Sequence, residues 1–314
     1  MKKKLYLFIL MLVVVSLLLA GCGKKTTLKM ATGGTTGTYY AYCGTVSQVL
    51  SQKINNLSFD VQSTGASKAN IYLIADKEAD IAIVQNDVMY YAYNGIDLFA
   101  GEKVTGFSAM AGVYAEVCQI VAKAGINSID DLRGKRVSVG DIGSGVEFNA
   151  RQILEAYDIT FDDIIVNNLS FGDSAAAFKD DKIDAFFCVA GAPTTAIVEL
   201  STTNQIKLLE IDDEHAAKLI DKYPFYTKFN IPAGTYKGVE TNAQVVAVVA
   251  SFIVAESLDE DLVYKMTKAL FENADEITAG HPKGAELDPA YSISSISIPL
   301  HPGAEKYYKE VGLL

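Results

Sequence analysis

The stretch from Asn70 to Asp87, NIYLIADKEADIAIVQND, has a second copy in the segment from Ser174 to Gly191, SAAAFKDDKIDAFFCVAG. Each copy runs as an apolar helix, a short charged turn, an aspartate, four apolar residues and a loop. Aligning Asp80 with Asp184 superposes the copies without a gap. Two copies of one supersecondary unit, about a hundred residues apart, predict two lobes of similar fold.

Short apolar runs alternate with helical patterns along the rest of the chain. The predicted strands are Leu28–Ala31, Phe59–Gln62, Ile81–Val84, Val137–Val139, Ile164–Asn167, Ala185–Val189 and Ile206–Glu210. The predicted helices begin near Thr38, Ser67, Asp87, Ser144, Asp173 and Pro193, with later ones near Asp259–Ala279 and Ala304–Val311. This alternation predicts an α/β protein with largely parallel sheets and helices on their faces. In that architecture, ligands bind at the carboxyl ends of the strands.

Two further apolar segments are long enough to link the lobes. Phe107–Gly125 can carry the chain out of the first lobe, and Asn242–Ala255, which is rich in β-branched residues, can carry it back. We therefore assign residues 28–114 and 243–314 to the first lobe and residues 115–242 to the second.

The N-terminus, MKKKLYLFILMLVVVSLLLAGCGKK, has three lysines before a mostly apolar run from Leu5 to Ala20. The run is short for a bilayer span, which needs roughly 20 apolar residues, so residues 1–21 are predicted to be an export signal. Its end, LAGC, resembles the bacterial lipobox, which implies cleavage before Cys22 and lipid attachment to that thiol, with residues 22–27 as anchor and linker. An uncleaved membrane anchor is the alternative. Either way, we expect an extracytoplasmic, membrane-anchored body, on the outer face of the cytoplasmic membrane or in a periplasm.

Charge and cysteine usage narrow the function classes. Loss of the signal removes three lysines and no acid, which takes the formal charge from −11 to −14. Such an acidic body is a poor binder of nucleic acid and of anionic lipid, so the lipid attached to Cys22 must supply the anchoring.

Cys43, Cys118 and Cys188 are widely spaced in apolar surroundings, which favours buried free thiols, although one pair could form a disulfide.

Five loops lie at predicted strand ends, are rich in small or polar residues and contain no Lys or Arg: Gly33–Tyr39, Ser63–Ser67, Gln85–Asp87, Gly140–Val146 and Ala190–Pro193. Such loops offer backbone N–H groups and hydroxyls to a small anion, helped by the dipoles of the following helices. Among the adjacent tyrosines Tyr39, Tyr40 and Tyr42, at least one should pack in the core while another, Tyr39 by its position, reaches the ligand. Packing of all three is the alternative.

Nucleotide-binding motifs do not fit these loops, and other features of the loops have local roles. GGTTGT lacks the lysine of a P-loop, and GDIGSG has its glycines in the wrong order for a dinucleotide fingerprint. The SGVE sequence from Ser144 to Glu147 is also a capping box, which needs no ligand. A bidentate arginine clamp would rest on Arg151 alone, so capture by helix ends and hydroxyls is favoured.

Catalytic and metal-binding patterns are missing from the sequence. His215, His281 and His301 are scattered without HExxH spacing, no GxSxG elbow occurs, and no cysteine has the context of a nucleophile. Adjacent acids such as Asp212-Asp213 are expected to cap turns and helices. The chain is therefore predicted to be a binder with no metal or cofactor, and not an enzyme.

Six ordered motifs carry a family resemblance: ATGGTTGTYYAYCG, STGAS, DIAIVQND, LRGKRVSVGDIGSGVEFNARQIL, DAFFCVAGAP and LHPGAEKYYKEVG. From Met30 to Gly312 the chain resembles the TAXI-type solute receptors of tripartite ATP-independent periplasmic (TRAP) transporters. The resemblance implies a type II periplasmic-binding-protein fold, two α/β lobes joined by crossing strands with a ligand cleft between them. It also implies delivery of a solute to the membrane subunits of a TRAP permease.

The resemblance further implies which residues contact the ligand. They are Thr36, Gly37, Thr38, Tyr39, Ser67, Gln85, Asp87, Ser144, Gly145, Val146, Gly191, Ala192 and Pro193. Relatives bind glutamate, glutamine or acids such as 2-oxoglutarate, but Ala41, Cys43 and Ala66 depart from the family pattern beside the pocket. An ionised Asp87 facing the cleft would favour an amino acid over a plain dicarboxylate, whereas Asp87 as a helix cap would carry no such information.

The resulting hypothesis is a membrane-anchored receptor for a small organic anion, either a glutamate-like or glutamine-like amino acid or a dicarboxylate. The alternative is an exported sensor subunit that binds the same solute and presents it to a signalling protein. A lipoprotein enzyme is a weaker rival, because nucleophile, base and metal ligands are missing from the sequence pattern.

Overall fold

The computed structural model describes residues 25–314. The predicted export signal at residues 1–21 and the lipidation site at Cys22 lie outside these residues. Within residues 25–314, every helix is too short or too polar to cross a bilayer.

Strands and helices alternate through most of the described chain. The strands are β1 (Thr26–Ala31), β2 (Leu57–Gln62), β3 (Ile81–Gln85), β4 (Phe107–Ala122), β5 (Arg136–Ser138), β6 (Ile165–Asn167), β7 (Ala185–Ala190), β8 (Lys207–Leu208), β9 (Thr227–Ile231) and β10 (Ala243–Ala255). The α-helices are α1 (Thr38–Lys53), α2 (Ser67–Ala75), α3 (Asn86–Asn94), α4 (Gly145–Ala156), α5 (Phe171–Lys179), α6 (Thr195–Thr203), α7 (Asp213–Lys222), α8 (Glu260–Glu272), α9 (Ala274–Gly280), α10 (Pro289–Ser294) and α11 (Pro302–Glu310). The predicted α/β class is therefore confirmed.

The strands of the described chain form one continuous sheet in the order β2-β1-β3-β10-β4-β7-β5-β6, with β8 paired to β4 and β9 to β10. The pairs at the two flanks are parallel, as β1 with β2 and β5 with β7 show. The central pairs of β10 and β4 are antiparallel. Each flank of the sheet therefore has its own group of parallel strands, and the carboxyl ends of these strands lead into the starts of helices.

The two long strands β4 and β10 occupy the positions expected for the crossing segments. Their residues are almost all buried, and they pair with each other from Ala247 opposite Val117 to Ala255 opposite Phe107. The register shifts twice, which leaves Val113 and Met110 as extra residues on β4. Such bulges bend a strand and increase its twist, so β4 changes direction at the middle of the sheet.

The hydrophobic core is divided along these two strands. The buried members of two clusters come from residues 28–114 and 250–308. The buried members of the other two come from residues 117–248. The assignment of residues 28–114 and 243–314 to one lobe and 115–242 to the other stays a prediction.

Several element bounds differ from those predicted. The helix expected over Asp259–Ala279 is interrupted at Asn273, whose side-chain amide donates to the carbonyl of Ala269 at 2.8 Å. Such a local bond competes with the helical hydrogen-bond pattern and ends α8 there. Helix α5 begins at Phe171 rather than near Asp173, because the Ser170 hydroxyl accepts from the backbone N–H of Asp173.

Helix α7, which begins at the acid pair Asp212-Asp213, was not predicted from the sequence. The carboxylate of Asp212 accepts from the backbone N–H groups of Glu214 and His215, both at 3.0 Å. The sequence therefore contained an N-cap signal, and the expected capping role of this acid pair is confirmed.

Cys43, Cys118 and Cys188 are buried free thiols, which is the state that the sequence favoured over a disulfide.

Two helical glycines provide a test of how closely α11 packs against α8. A Cβ atom at Gly303 would lie 2.2 Å from the carbonyl oxygen of Glu260 and 2.6 Å from the amide nitrogen of Tyr264, whereas a Cβ at Gly44 would meet nothing within 4 Å. We expect Gly303→Ala to lower the free energy of unfolding by about 2–3 kcal/mol, since backbone atoms of α8 would have to move. Gly44→Ala should raise it by up to about 1 kcal/mol through helix propensity.

Chemical denaturation of the two variants and the wild type measures both changes. Equal unfolding free energies for Gly303→Ala and Gly44→Ala would contradict the close approach of α11 to α8.

Candidate functional site

One cavity lies between the carboxyl ends of the strands and the first turns of the helices that follow them. Its walls are formed by Gly33, Gly34, Gly37, Thr38, Tyr39, Ala66, Ser67, Gln85, Glu116, Gly145, Val146, Phe171, Val189 and Ala190. Each of the five predicted loops contributes at least one of these residues. The cavity encloses about 40 Å³, which accommodates only a few water molecules at about 10–15 Å³ each.

The start of α1 forms one wall of the cavity. Gly37 precedes the helix in extended conformation, and its N–H donates to the carbonyl of Gly34. The Gly37 residue provides no side-chain cap, so the first N–H groups of α1 lack intrahelical partners. The Thr38 hydroxyl donates to the carbonyl of Gly191 at 3.0 Å, which joins α1 directly to the loop after β7.

The three neighbouring tyrosines separate as expected. Tyr42 is fully buried in the core, Tyr40 is exposed, and Tyr39 lines the cavity. The Tyr39 hydroxyl donates to Oε2 of Glu116 at 2.6 Å. Burial, together with the nearby Glu116 carboxylate, raises the pKa of Tyr39 well above its ordinary value, so the hydroxyl stays protonated and acts as a donor.

Glu116 is a site residue that the sequence analysis missed. It lies on β4, opposite Val248 of β10, and only 2% of its surface is exposed. Burial raises its pKa well above the ordinary value for a glutamate, and the Tyr39 hydrogen bond opposes that shift. A single acid inside the apolar run GVYAEVCQIV was the available signal.

The start of α4 forms the opposite wall. The Ser144 hydroxyl accepts from the backbone N–H of Glu147 at 3.2 Å, which confirms half of the predicted capping box. The Glu147 carboxylate accepts from the N–H of Gly143 at 2.7 Å rather than from that of Ser144. The N–H groups of Gly145 and Val146 therefore remain without intrahelical partners at the cavity.

Gln85 connects β3 to α4. A Cβ atom at Gly145 would lie 1.6 Å from Oε1 of Gln85, so only glycine permits this approach. The Gln85 side-chain amide donates to Oδ1 of Asn149 at 2.9 Å, and its backbone N–H donates to the Ser67 hydroxyl. Oε1 of Gln85 is buried without a hydrogen-bond partner among the described residues.

A buried polar network continues from Asn149 behind the cavity. The Asn149 amide donates to Oδ2 of Asp87 at 3.1 Å and to the hydroxyl of Tyr226 at 2.6 Å. The Tyr226 hydroxyl donates to Gln152, whose amide reaches Tyr91. The network joins α3 to α4 and therefore ties the two halves of the sheet together near the site.

Asp87 lies in this network and not in the cavity wall. It is the second residue of α3 rather than the N-cap, which is Gln85, and its Oδ1 accepts from the N–H of Val88 at 2.9 Å. Burial raises its pKa to about 6, although the hydrogen bonds from Val88 and Asn149 oppose the shift. Both carboxylate oxygens are thus engaged by the protein.

A buried lysine approaches the site from the C-terminal part of the chain. Lys283 is only 6% exposed, and its Nζ lies 2.5 Å from Oε1 of Glu286 and 5.9 Å from the centre of the Tyr114 ring. A Cβ atom at Gly191 would lie 2.7 Å from Cε of Lys283. The predicted loops contain no cation, so this nearby positive charge was missed.

The remaining predicted residues do not line the cavity. Thr36 and Ser144 line an adjacent groove with Asp141 and Ser170. Gly191 contacts Thr38, while Ala192 and Pro193 lie beyond it, joined by a cis peptide bond. Arg151 does not line the cavity; its guanidinium pairs with Glu147 at 3.6 Å and lies 4.0 Å from the centre of the Phe161 ring.

The three histidines have structural contacts. Nδ1 of His281 accepts from the N–H of Lys283, Nδ1 of His301 accepts from the N–H of Gly303, and the His215 ring stacks on Tyr157. In the described part of the chain, no group of three or more His, Cys, Asp or Glu side chains is arranged to hold a metal ion.

The raised pKa of Asp87 predicts a pH-dependent stability. The carboxyl ordinarily titrates near 3.8 and in the folded protein near 6, so between these values the folded state binds a proton that the unfolded state has lost. The free energy of unfolding of the wild type, relative to Asp87→Asn, should therefore fall by about 2–3 kcal/mol as the pH rises from about 4 to 7.

Denaturation of the wild type and Asp87→Asn at several pH values checks this expectation, with the exposed Asp76→Asn as the control for general charge effects. Parallel stability profiles for wild type and Asp87→Asn would contradict it.

Solved structures of similar fold identify the architecture. PhnD1 from Prochlorococcus marinus in complex with methylphosphonate matches with a TM-score of 0.58 at 10% identity, covering 93% of this chain and 100% of that one. A putative L-cystine ABC transporter protein from Listeria monocytogenes matches at 0.52 and 15% identity, covering 84% and 98%. The alkanesulfonate-binding protein SsuA from Xanthomonas axonopodis, bound to MOPS, matches at 0.50 and 12% identity, covering 92% of each chain.

At these identities the matches establish the fold alone, which is the two-lobed α/β fold of periplasmic solute-binding proteins. The predicted fold is thereby confirmed. Residues 30–312 match the NMT1-like family, nearly the whole of the described chain. The protein therefore belongs to the NMT1-like family.

Proposed function

We propose that the protein is an extracytoplasmic solute receptor that binds a small organic anion and delivers it to a membrane transporter without transforming it. The observation that carries this proposal is the meeting of the first turns of α1 and α4 at one cavity. Both helices begin with N–H groups that lack intrahelical partners, and both dipoles favour a negative charge at that end.

The wall of the cavity comes from both halves of the sheet, which supports binding by closure. Direct contacts span the halves: Thr38 with Gly191, Gln85 with Asn149, and the N–H of Ala196 with the carbonyl of Thr36. The enclosed 40 Å³ is smaller than an amino acid or a dicarboxylate needs. In this proposal the lobes, residues 28–114 with 243–314 and residues 115–242, separate to admit the solute by bending β4 and β10.

The proposed transport partner is a TRAP permease. The six ordered motifs that resemble TAXI-type receptors support this choice, and the predicted signal and Cys22 lipid would hold the receptor at the membrane. ABC-type import is the second candidate, because the solved structures of similar fold include a putative ABC transporter component.

The two transporter classes differ in their energy source. We expect solute uptake by cells that carry the receptor and its permease to stop when the ion gradients across the membrane are dissipated while ATP is maintained. Uptake that persists without the gradients and stops on ATP depletion would contradict TRAP transport and support ABC import.

Thermal unfolding of the purified protein, refolded to remove carried ligand, tests the binding proposal against a panel of amino acids, 2-oxo acids and dicarboxylates. A solute at 100 times its Kd should stabilise the protein by about 2.7 kcal/mol. No shift with any member of the panel would contradict the proposal.

Gly145→Ala tests whether the cavity is the binding site. The added methyl group displaces the Gln85 side chain and its hydrogen bond to Asn149. We expect the affinity for the solute to fall about tenfold, as the loss of one hydrogen bond across the cleft implies. Gly44→Ala, in the middle of α1 with open space around it, is the control that should retain wild-type affinity, and equal affinities in both variants would exclude this cavity.

A further inference from the structure

We infer that Glu116 selects a solute with a positively charged amino group, so that the receptor takes an amino acid in preference to the matching 2-oxo acid or dicarboxylate. The inference rests on the proposed function and concerns the same cavity. It assigns to Glu116 the ammonium-binding role that the sequence had offered to Asp87.

The carboxylate of Glu116 has fewer donors than its burial requires. Its Oε2 accepts from the Tyr39 hydroxyl at 2.6 Å, and this is the one hydrogen bond to the carboxylate among the described residues. A carboxylate has about four lone-pair sites, and leaving them unmatched in a buried site is costly. An ammonium group, with three donors and a positive charge, is the natural complement in a cavity wall.

Glu116 forms no ion pair with a cation of the described residues, although Lys283 is close enough to lower its pKa. Within residues 25–314, no Lys, Arg or His nitrogen lies within 4 Å of its oxygens, since the nearby Lys283 is paired with Glu286 instead. Glu286 also accepts from the backbone N–H of Ala115, which holds that ion pair beside β4. The Glu116 carboxyl therefore has no ion-pair partner among these residues, and a bound ammonium group would favour its ionised form.

A second acceptor lies in the same wall. Oε1 of Gln85 is buried and has no partner among the described residues, and the Gln85 side chain lines the cavity with Glu116. The starts of α1 and α4 present N–H donors to the cavity, so its surface offers acceptors for an ammonium and donors for a carboxylate. A zwitterion matches both, whereas a dicarboxylate matches only the donors.

Asp87 is the other buried acid near the site, and its geometry excludes it from this role. Oδ1 accepts from the N–H of Val88, Oδ2 accepts from the Asn149 amide, and the residue does not line the cavity. Both oxygens of Asp87 thus accept hydrogen bonds from the protein, whereas Glu116 accepts one hydrogen bond among the described residues, at Oε2.

Glu116→Gln is the test, because it preserves the shape of the side chain and removes its charge. Calorimetric titration of the wild type and the variant with matched pairs, such as L-glutamate with 2-oxoglutarate and each other amino acid with its 2-oxo acid, isolates the amino group. We expect the wild type to prefer the amino acid and the variant to bind it about 10- to 100-fold more weakly, as the loss of a charged hydrogen bond implies. The variant should bind the 2-oxo acid at least as tightly as the wild type does.

The remaining outcomes separate this inference from the proposed function. If the wild type binds 2-oxo acids or dicarboxylates and not amino acids, the inference is overturned while the receptor function stands. If Glu116→Gln, still folded by its thermal unfolding curve, keeps the amino-acid preference, or if Asp87→Asn abolishes that preference instead, the role of Glu116 is refuted. If no solute of either class binds, the proposed function fails, and the inference fails with it.

Discussion

The antiparallel pairing of β4 with β10 is the contact on which the rest of the structure depends. β10 also pairs with β3 of one half and β9 of the other, while β4 pairs with β7 and β8. The sheet is therefore continuous, while the hydrophobic core divides on either side of these two strands. In the proposed closure, relative movement of the two halves bends β4 and β10 near their middle.

The site follows from this arrangement. Parallel strands at each flank deliver their carboxyl ends and the following helix starts towards the same region, so α1 from one half meets α4 from the other. Glu116 lies at the crossing itself, opposite Val248, in the wall of the cavity that both halves form. The buried chain of hydrogen bonds from Gln85 through Asn149 to Tyr226 adds a polar contact between β3 and α4.

The sequence predicted the parts of this site that depend on local chemistry. Gly37 before α1 and Ser144 before α4 are local helix-start signals, and the loop contributions to the cavity agree with their positions at strand ends. Glu116 could not be predicted in the same way, because two bulges in β4, at Val113 and Met110, shift the alternation that decides which face a side chain takes. Lys283 was missed for a related reason, since its proximity to Gly191 is created by tertiary packing across distant parts of the chain.

The most direct test of the account is a crystal structure of the protein with the solute that stabilises it most. The account predicts that the carboxylate of the solute contacts the first N–H groups of α1 and α4, so that residues of both halves touch one ligand, with its amino group at Glu116. A solute bound within one half alone, or away from the cavity formed by Thr38, Gln85 and Gly145, would contradict a receptor that closes about β4 and β10.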